Sequence, residues 1–144
     1  MDNKIIFLPL FAQVALTGMV WLWMYVTRLK EIYVKKINVQ DLADSAAKRD
    51  LLKKVSGPSD NFINLFEMPV LFYVAIFVIY NTGIVSSLYI TLAFCFVGLR
   101  FVHSAIQGTY NRIKHRFAFY LLSSLSLWTM WVIIIVEIVS TMEF

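Results

Sequence analysis

The chain has 144 residues, of which 60% are hydrophobic and only 15% charged, and its mean hydropathy is +0.72. A soluble domain is ~45–50% apolar and ~25% charged, so this composition excludes an ordinary water-soluble fold and intrinsic disorder, and makes the bilayer the expected solvent. One cysteine excludes a disulfide scaffold, and the net charge of +4 carries its information through its distribution among loops, with no nucleic-acid partner expected.

Four runs approach the ~20 apolar residues needed to cross a bilayer. Residues 5–26 carry no charge, 62–80 carry only Glu67, 84–99 carry none and continue apolar to Val102 past Arg100, and 117–136 carry none. They predict an all-α membrane protein, a four-helix transmembrane bundle forming one domain over 1–144. The expected helices are about 5–28, 60–81, 84–107 and 115–140, with a loop over 29–59. A membrane barrel is excluded because no ~10-residue alternating segments occur. The first run lacks a basic region beyond Lys4 and leads into Tyr25-Val26-Thr27-Arg28 rather than a small-residue cleavage site, so it is expected to be a retained helix.

The connections fix the expected topology. Asn81-Thr82-Gly83 is a tight turn that makes the second and third helices antiparallel neighbours. Of 13 basic residues, eight lie in the first loop (Arg28, Lys30, Lys35, Lys36, Lys48, Arg49, Lys53, Lys54) and three in the last (Arg112, Lys114, Arg116). By the positive-inside rule both loops face the cytoplasm and both termini lie outside, as in an integral, multi-pass membrane protein. Residues 41–55 have a weak helical pattern, and Gly57-Pro58-Ser59-Asp60 supplies a breaker and an N-cap.

A charge inside a spanning helix costs several kcal/mol, on the order of ~2.5–3.5 or more, and marks a candidate site. Asp60, Asn64 and Glu67 are spaced i, i+4, i+7 on the second helix; Arg100, His103 and Gln107 share a face of the third; Arg116, Tyr120, Ser123 and Ser124 follow one stripe of the fourth; Arg28 closes the first. With alternating helix directions, all four stripes arrive at the cytoplasmic end. Two or three arginines around the Glu67 carboxylate leave spare positive charge and donors, which suits a ligand with several carboxylates. The blander readings are that Arg28, Arg100 and Arg116 each snorkel to headgroups, and that Glu67 and Arg100 form a structural ion pair. Glu137, at the outer end, has no expected role. His103 and His115 lie on different segments without a partner at ligand spacing, so no metal site is expected. Cys95 reads as a mid-membrane packing residue.

The combination Asn64-x-x-Glu67, Arg100-x-x-His103 and Arg116-x-x-x-Tyr120, in register with Arg28-Leu29-Lys30 at the end of the first helix, resembles the MAPEG family, the membrane-associated proteins of eicosanoid and glutathione metabolism. The segments from Asp60 to Tyr73 and from Arg100 to Ser104 look most like a bacterial branch. The resemblance implies a homotrimer with glutathione as co-substrate between neighbouring subunits near the cytoplasmic face. It implies that Arg28, Asn64, Glu67, Arg100, His103 and Tyr120 bind glutathione, while Arg116 is catalytic and stabilises the thiolate. A lipophilic substrate would arrive from the membrane lipids. The chain departs from the family pattern in placing Pro69 two residues after Glu67, with Leu71 where the proline usually stands, Gln107 in place of a tyrosine seven after Arg100, and Phe117 after Arg116. The expected function is a glutathione-dependent transferase or peroxidase acting on lipophilic electrophiles; the alternative is a non-enzymatic membrane scaffold that binds a lipid or protein partner. A four-helix multidrug exporter is a third, weaker fit, since such export uses a deep carboxylate without an arginine beside it.

Overall fold

The computed structural model describes residues 2–142, and every regular element among them is helical. This is what a bilayer demands of a single chain, because hydrocarbon offers no partner to an unpaired N–H or C=O. Four stretches are long and apolar enough to cross: Asn3–Lys35, Lys53–Thr82, Ser87–Gly108 and Ile113–Ser140.

The first begins as a 3-10 turn, Asn3–Ile6, with the Asp2 carboxylate accepting the Lys4 N–H at 2.9 Å, and continues as α1, Phe7–Lys35. It runs well past the expected end near 28. Residues 29–35 contain no Gly or Pro to stop it, and Glu31 and Lys35 pair at 2.6 Å one turn apart. Termination comes at Lys36, which adopts a left-handed conformation (φ 51°) and returns its N–H to the carbonyls of Ile32 and Tyr33.

The expected loop over 29–59 is largely helical. A 3-10 turn, Val39–Ala43, precedes α2, Ser45–Leu51, whose N-cap Asp44 accepts the Ala47 N–H at 2.8 Å. Another 3-10 turn, Lys53–Val55, leads into α3, Ser56–Asn64. Asp60, expected as an N-cap, therefore sits inside a helix. Pro58 is tolerated in the first turn of α3, where the N–H it lacks would have no intrahelical partner.

The second span is two helices, not one. After Asn64 the chain breaks at Leu65–Glu67, with Glu67 at φ −94° and ψ −101°, and resumes as α4, Met68–Thr82. The cause is Pro69 at the second position of α4: it has no N–H for the Leu65 carbonyl, and its ring would clash with that carbonyl in a continuous helix. The position that departs from the family pattern is thus the one that bends this span. Gly83, at φ 73°, ends α4 in the left-handed conformation that glycine adopts freely. The extended Ser86 then starts α5, Ser87–Gly108, and Arg112 starts α6, Ile113–Ser140.

The apolar core fills the half of the bundle nearer the 83–86 turn. It joins Ile6 and Leu10 to Phe72, Ala75, Ile76 and Ile79 of α4, to Tyr89, Ala93, Phe96 and Val97 of α5, and to Leu127, Met130 and Ile134 of α6. Phe72 and Phe96 stack at 4.6 Å between centroids. Tyr89, fully buried, donates its hydroxyl to Glu137 at 2.8 Å, so this glutamate anchors α5 to α6 instead of merely reaching for water. Cys95 is exposed on the outer surface of the bundle, contrary to its expected packing role. At the opposite end Gly108 admits the indole of Trp23, so that α1 closes directly on the end of α5.

Candidate functional site

The polar half of the bundle is assembled by two rungs between α3 and α5. In the first, Asn61 Nδ2 donates to the Ser104 carbonyl at 3.3 Å and Ser104 Oγ donates to Asn61 Oδ1 at 3.1 Å. Three residues on along both helices, Asn64 Nδ2 donates to Gln107 Oε1 at 3.0 Å. Asn61, Ser104 and Gln107 are all buried, where each amide or hydroxyl is costly unless it is paired. The two helices run in opposite directions, with the Gly57 backbone beside the Gln107 carbonyl and the Asn64 carbonyl bonded to Arg100, so the Asn64 and Gln107 side chains reach toward each other to meet.

Arg100 crosses behind the second rung. It is completely buried, and its Nη2 donates to the Asn64 backbone carbonyl at 2.7 Å, a carbonyl the break before α4 leaves unpaired in the helix. Its guanidinium carbon lies 5.6 Å from the Tyr120 ring centroid, a cation–π arrangement. Its Nε and Nη1 find no protein partner among the described residues. The blander reading of a structural Glu67–Arg100 ion pair is not met: the one ion pair among the described residues is Lys35–Glu31. Breaking the helix at 65–67 has turned Glu67 outward, where it is exposed.

His103 is the hub. Its Nδ1 lies 2.9 Å from the Arg116 carbonyl oxygen and its Nε2 2.9 Å from Gln107 Oε1, while its ring lies 5.8 Å from that of Tyr120. Arg116 is half-buried and donates from Nη1 to Asn111 Oδ1 at 3.0 Å, across the turn where Asn111 adopts φ 45°. Ser123 and Ser124, expected on the same stripe, bond instead to the Tyr120 carbonyl at 2.8 and 2.9 Å within α6.

Five of the seven candidate residues, Asn64, Glu67, His103, Arg116 and Tyr120, line a single cavity of about 220 Å³ together with Ile113 and Phe117. Arg100 stands behind its wall, touching Asn64 and Tyr120 without lining it. Arg28 is placed elsewhere: it donates to Ser59 Oγ and faces a larger cavity of about 690 Å³ with Lys48, Arg49, Lys53 and Asp60. Asp60 and Glu67, expected on one stripe, therefore serve two different cavities at the same end of the bundle. Two residues outside the candidate set, Asn61 and Gln107, hold the site together; the spacing that identified His103 also reaches Gln107 one turn later, whereas nothing in the sequence singled out Asn61. No group of three or more metal-ligating side chains occurs among the described residues.

The smaller cavity carries a cation, a carboxylate, an imidazole, a phenol and an amide. It is below the ~300–1,000 Å³ of a pocket that encloses a drug-sized ligand. A family model described as "MAPEG family" matches residues 6–136, nearly the whole chain. No curated protein and no solved structure matches it.

Proposed function

The chain belongs to the MAPEG family, and from that premise we propose that it is a glutathione-dependent transferase or peroxidase acting on lipophilic electrophiles, working as a homotrimer. The observation that carries this reading is the convergence of Asn64, Glu67, His103, Arg116 and Tyr120 on one cavity at the basic end of the bundle. The size of that cavity supports a site shared between subunits: glutathione needs a second wall, and the basic cavity around Arg28 offers the complementary cations when a neighbouring subunit presents it, while the number three rests on the family. The basic end faces the cytoplasm and the termini lie outside, in a bacterial inner membrane.

In this reading Glu67 and Asn64 meet the amino and amide groups of the tripeptide, while Arg28 of a neighbouring chain and the electrostatic field of buried Arg100 favour its carboxylates. Arg116 holds the sulfur. The thiol gives its proton to water, and the thiolate beside the guanidinium is the nucleophile, favoured further by the dipole of α6, whose first turn it faces. In the transferase reaction the sulfur bonds to an electrophilic carbon and the leaving group departs with its electron pair. In the peroxidase reaction the sulfur takes the terminal oxygen of a lipid hydroperoxide, the alcohol leaves, and a second glutathione releases water and the disulfide. Phe117 and Ile113 give the cavity an apolar margin toward the membrane for such substrates.

The test is titration of the purified protein with glutathione, following thiolate absorbance in the ultraviolet, with native mass spectrometry in mild detergent. Binding at or below millimolar concentration with a thiolate band is the expected result. No binding there favours the scaffold reading, and a monomeric mass refutes the shared site.

A further inference from the structure

We propose that Gln107 is a positioning residue that ties the charge of His103 to the hydrogen-bonding group Asn64 presents to its ligand. The argument starts from what each atom can do. The Arg116 carbonyl oxygen, 2.9 Å from His103 Nδ1, only accepts; Gln107 Oε1, 2.9 Å from Nε2, only accepts as well. With the Gln107 amide turned this way, both contacts are hydrogen bonds only when both ring nitrogens carry hydrogens, as in the imidazolium. Gln107 Oε1 also receives Asn64 Nδ2 at 3.0 Å, so the Asn64 amide has its oxygen as the free end.

A neutral His103 needs a different arrangement of the same groups. Nδ1 keeps its hydrogen for the Arg116 carbonyl, and Nε2 becomes an acceptor. Gln107 satisfies it only by turning its amide over, so that Nε2 of the glutamine donates to the ring. Its second hydrogen then points at Asn64, where a donor stood, and Asn64 must turn as well to offer Oδ1. The free end of Asn64 is now its NH₂. Loss of one proton from the ring thus changes Asn64 from an acceptor to a donor toward the cavity it lines. The change is confined to side-chain amides, because Arg100 pins the Asn64 backbone carbonyl at 2.7 Å and the Asn61–Ser104 rung holds the helices one turn away.

The charged and titratable groups facing His103 are Arg100 on its own helix, Arg116 and Tyr120 on α6, and Glu67 from the junction before α4. None of these is a hydrogen-bond partner of either ring nitrogen through its side chain; both are occupied by the Arg116 backbone and by Gln107. The route from ring to Asn64 therefore runs through Gln107. In the charged state the cavity suits an N–H donor at Asn64, such as the amide or ammonium of a peptide ligand.

The amide readout needs no ligand, and only the binding arm rests on the glutathione reading. With His, Asn and Gln labelled with ¹⁵N in detergent micelles, the Asn64 side-chain amide signals should move with the same midpoint as the His103 ring nitrogens. In Gln107→Leu the ring should still titrate while Asn64 stays still. Asn64 signals that do not follow the His103 titration in the wild type, or that follow it unchanged in Gln107→Leu, overturn the proposal. For binding, S-hexylglutathione keeps its charge across the titration and removes the thiol from the comparison. Its affinity should fall about tenfold as His103 loses its proton, the scale of one mispaired hydrogen bond. Gln107→Leu should flatten that fall and Gln107→Glu, an acceptor only, should carry tight binding to higher pH. An equal fall in wild type and Gln107→Leu overturns the relay. Absence of binding in the wild type overturns the glutathione reading instead, and the amide signals then decide the relay by themselves.

Discussion

Replacing Gly108 by alanine should weaken the protein at the joint between α1 and α5. A Cβ at this position would stand 2.2 Å from two carbons of the Trp23 ring, Cη2 and Cζ3, and 3.1 Å from Cε3. Unbonded carbons prefer ~3.5–4.0 Å, so the indole must retreat by more than ~1 Å. An indole is rigid and has few rotamers, and overpacking of this kind costs about 1–3 kcal/mol. Alanine returns ~0.5–1 kcal/mol through its better helix propensity, leaving a net loss of about 1–2 kcal/mol. Equilibrium unfolding in mixed detergent micelles, followed by circular dichroism, measures it. The reasoning is checked by a second background: in Trp23→Leu the obstruction is gone, and Gly108→Ala should become neutral or stabilising by ~0.5 kcal/mol. Equal destabilisation in both backgrounds would falsify the clash as the cause. The joint matters for function because it sets the end of α1, with Arg28, against the turn of chain that follows Gln107.

Four further outcomes are expected. Arg116→Ala should leave stability nearly unchanged, since the side chain is half-buried and bonded only to Asn111, but raise the pKa of bound glutathione's thiol by at least about a unit, ~1.4 kcal/mol; an unchanged thiolate titration moves the catalytic role elsewhere. Arg100→Met, in contrast, removes a buried cation with two unpaired nitrogens and no carboxylate partner, so thermal unfolding of the unliganded protein should shift little while ligand affinity drops; a loss above ~3 kcal/mol would mean that a buried ion pair had been broken after all. Pro69→Ala restores the N–H missing opposite Leu65, straightens the junction of α3 and α4, and should weaken ligand binding by moving Glu67 while keeping the helix content; unaltered affinity speaks against the bend as a site-forming feature. For topology, single cysteines at positions 45 and 140 should label from opposite sides, and labelling of position 45 from outside the cell refutes the orientation.

Composition and run length by themselves settled the solvent and the number of spans, because a bilayer permits few solutions and ~20 apolar residues are a long-range signal that survives any local detail. The spacing of Asn64, His103, Arg116 and Tyr120 was legible for a similar reason: one helical period places a residue on a face whatever that face meets. The tertiary structure decided what the faces met. Pro69 stood in the sequence only as a departure from the family pattern within one expected helix, yet by denying Leu65 a donor it turned Glu67 out of reach of Arg100 and split Asp60 from it into another cavity. Arg28, read as part of the same cluster, went to Ser59 because α1 runs on to Lys35 and carries that face toward the start of α3. Asn61 was silent in the sequence, and Gln107 was legible only as a member of the Arg100 stripe, since a polar residue near a membrane end is unremarkable until its partner, 43 residues away in both rungs, is brought beside it. Periodicity along one helix is a local property and can be read from residues; the pairing of two helices depends on where a third has bent, and only the folded chain fixes that.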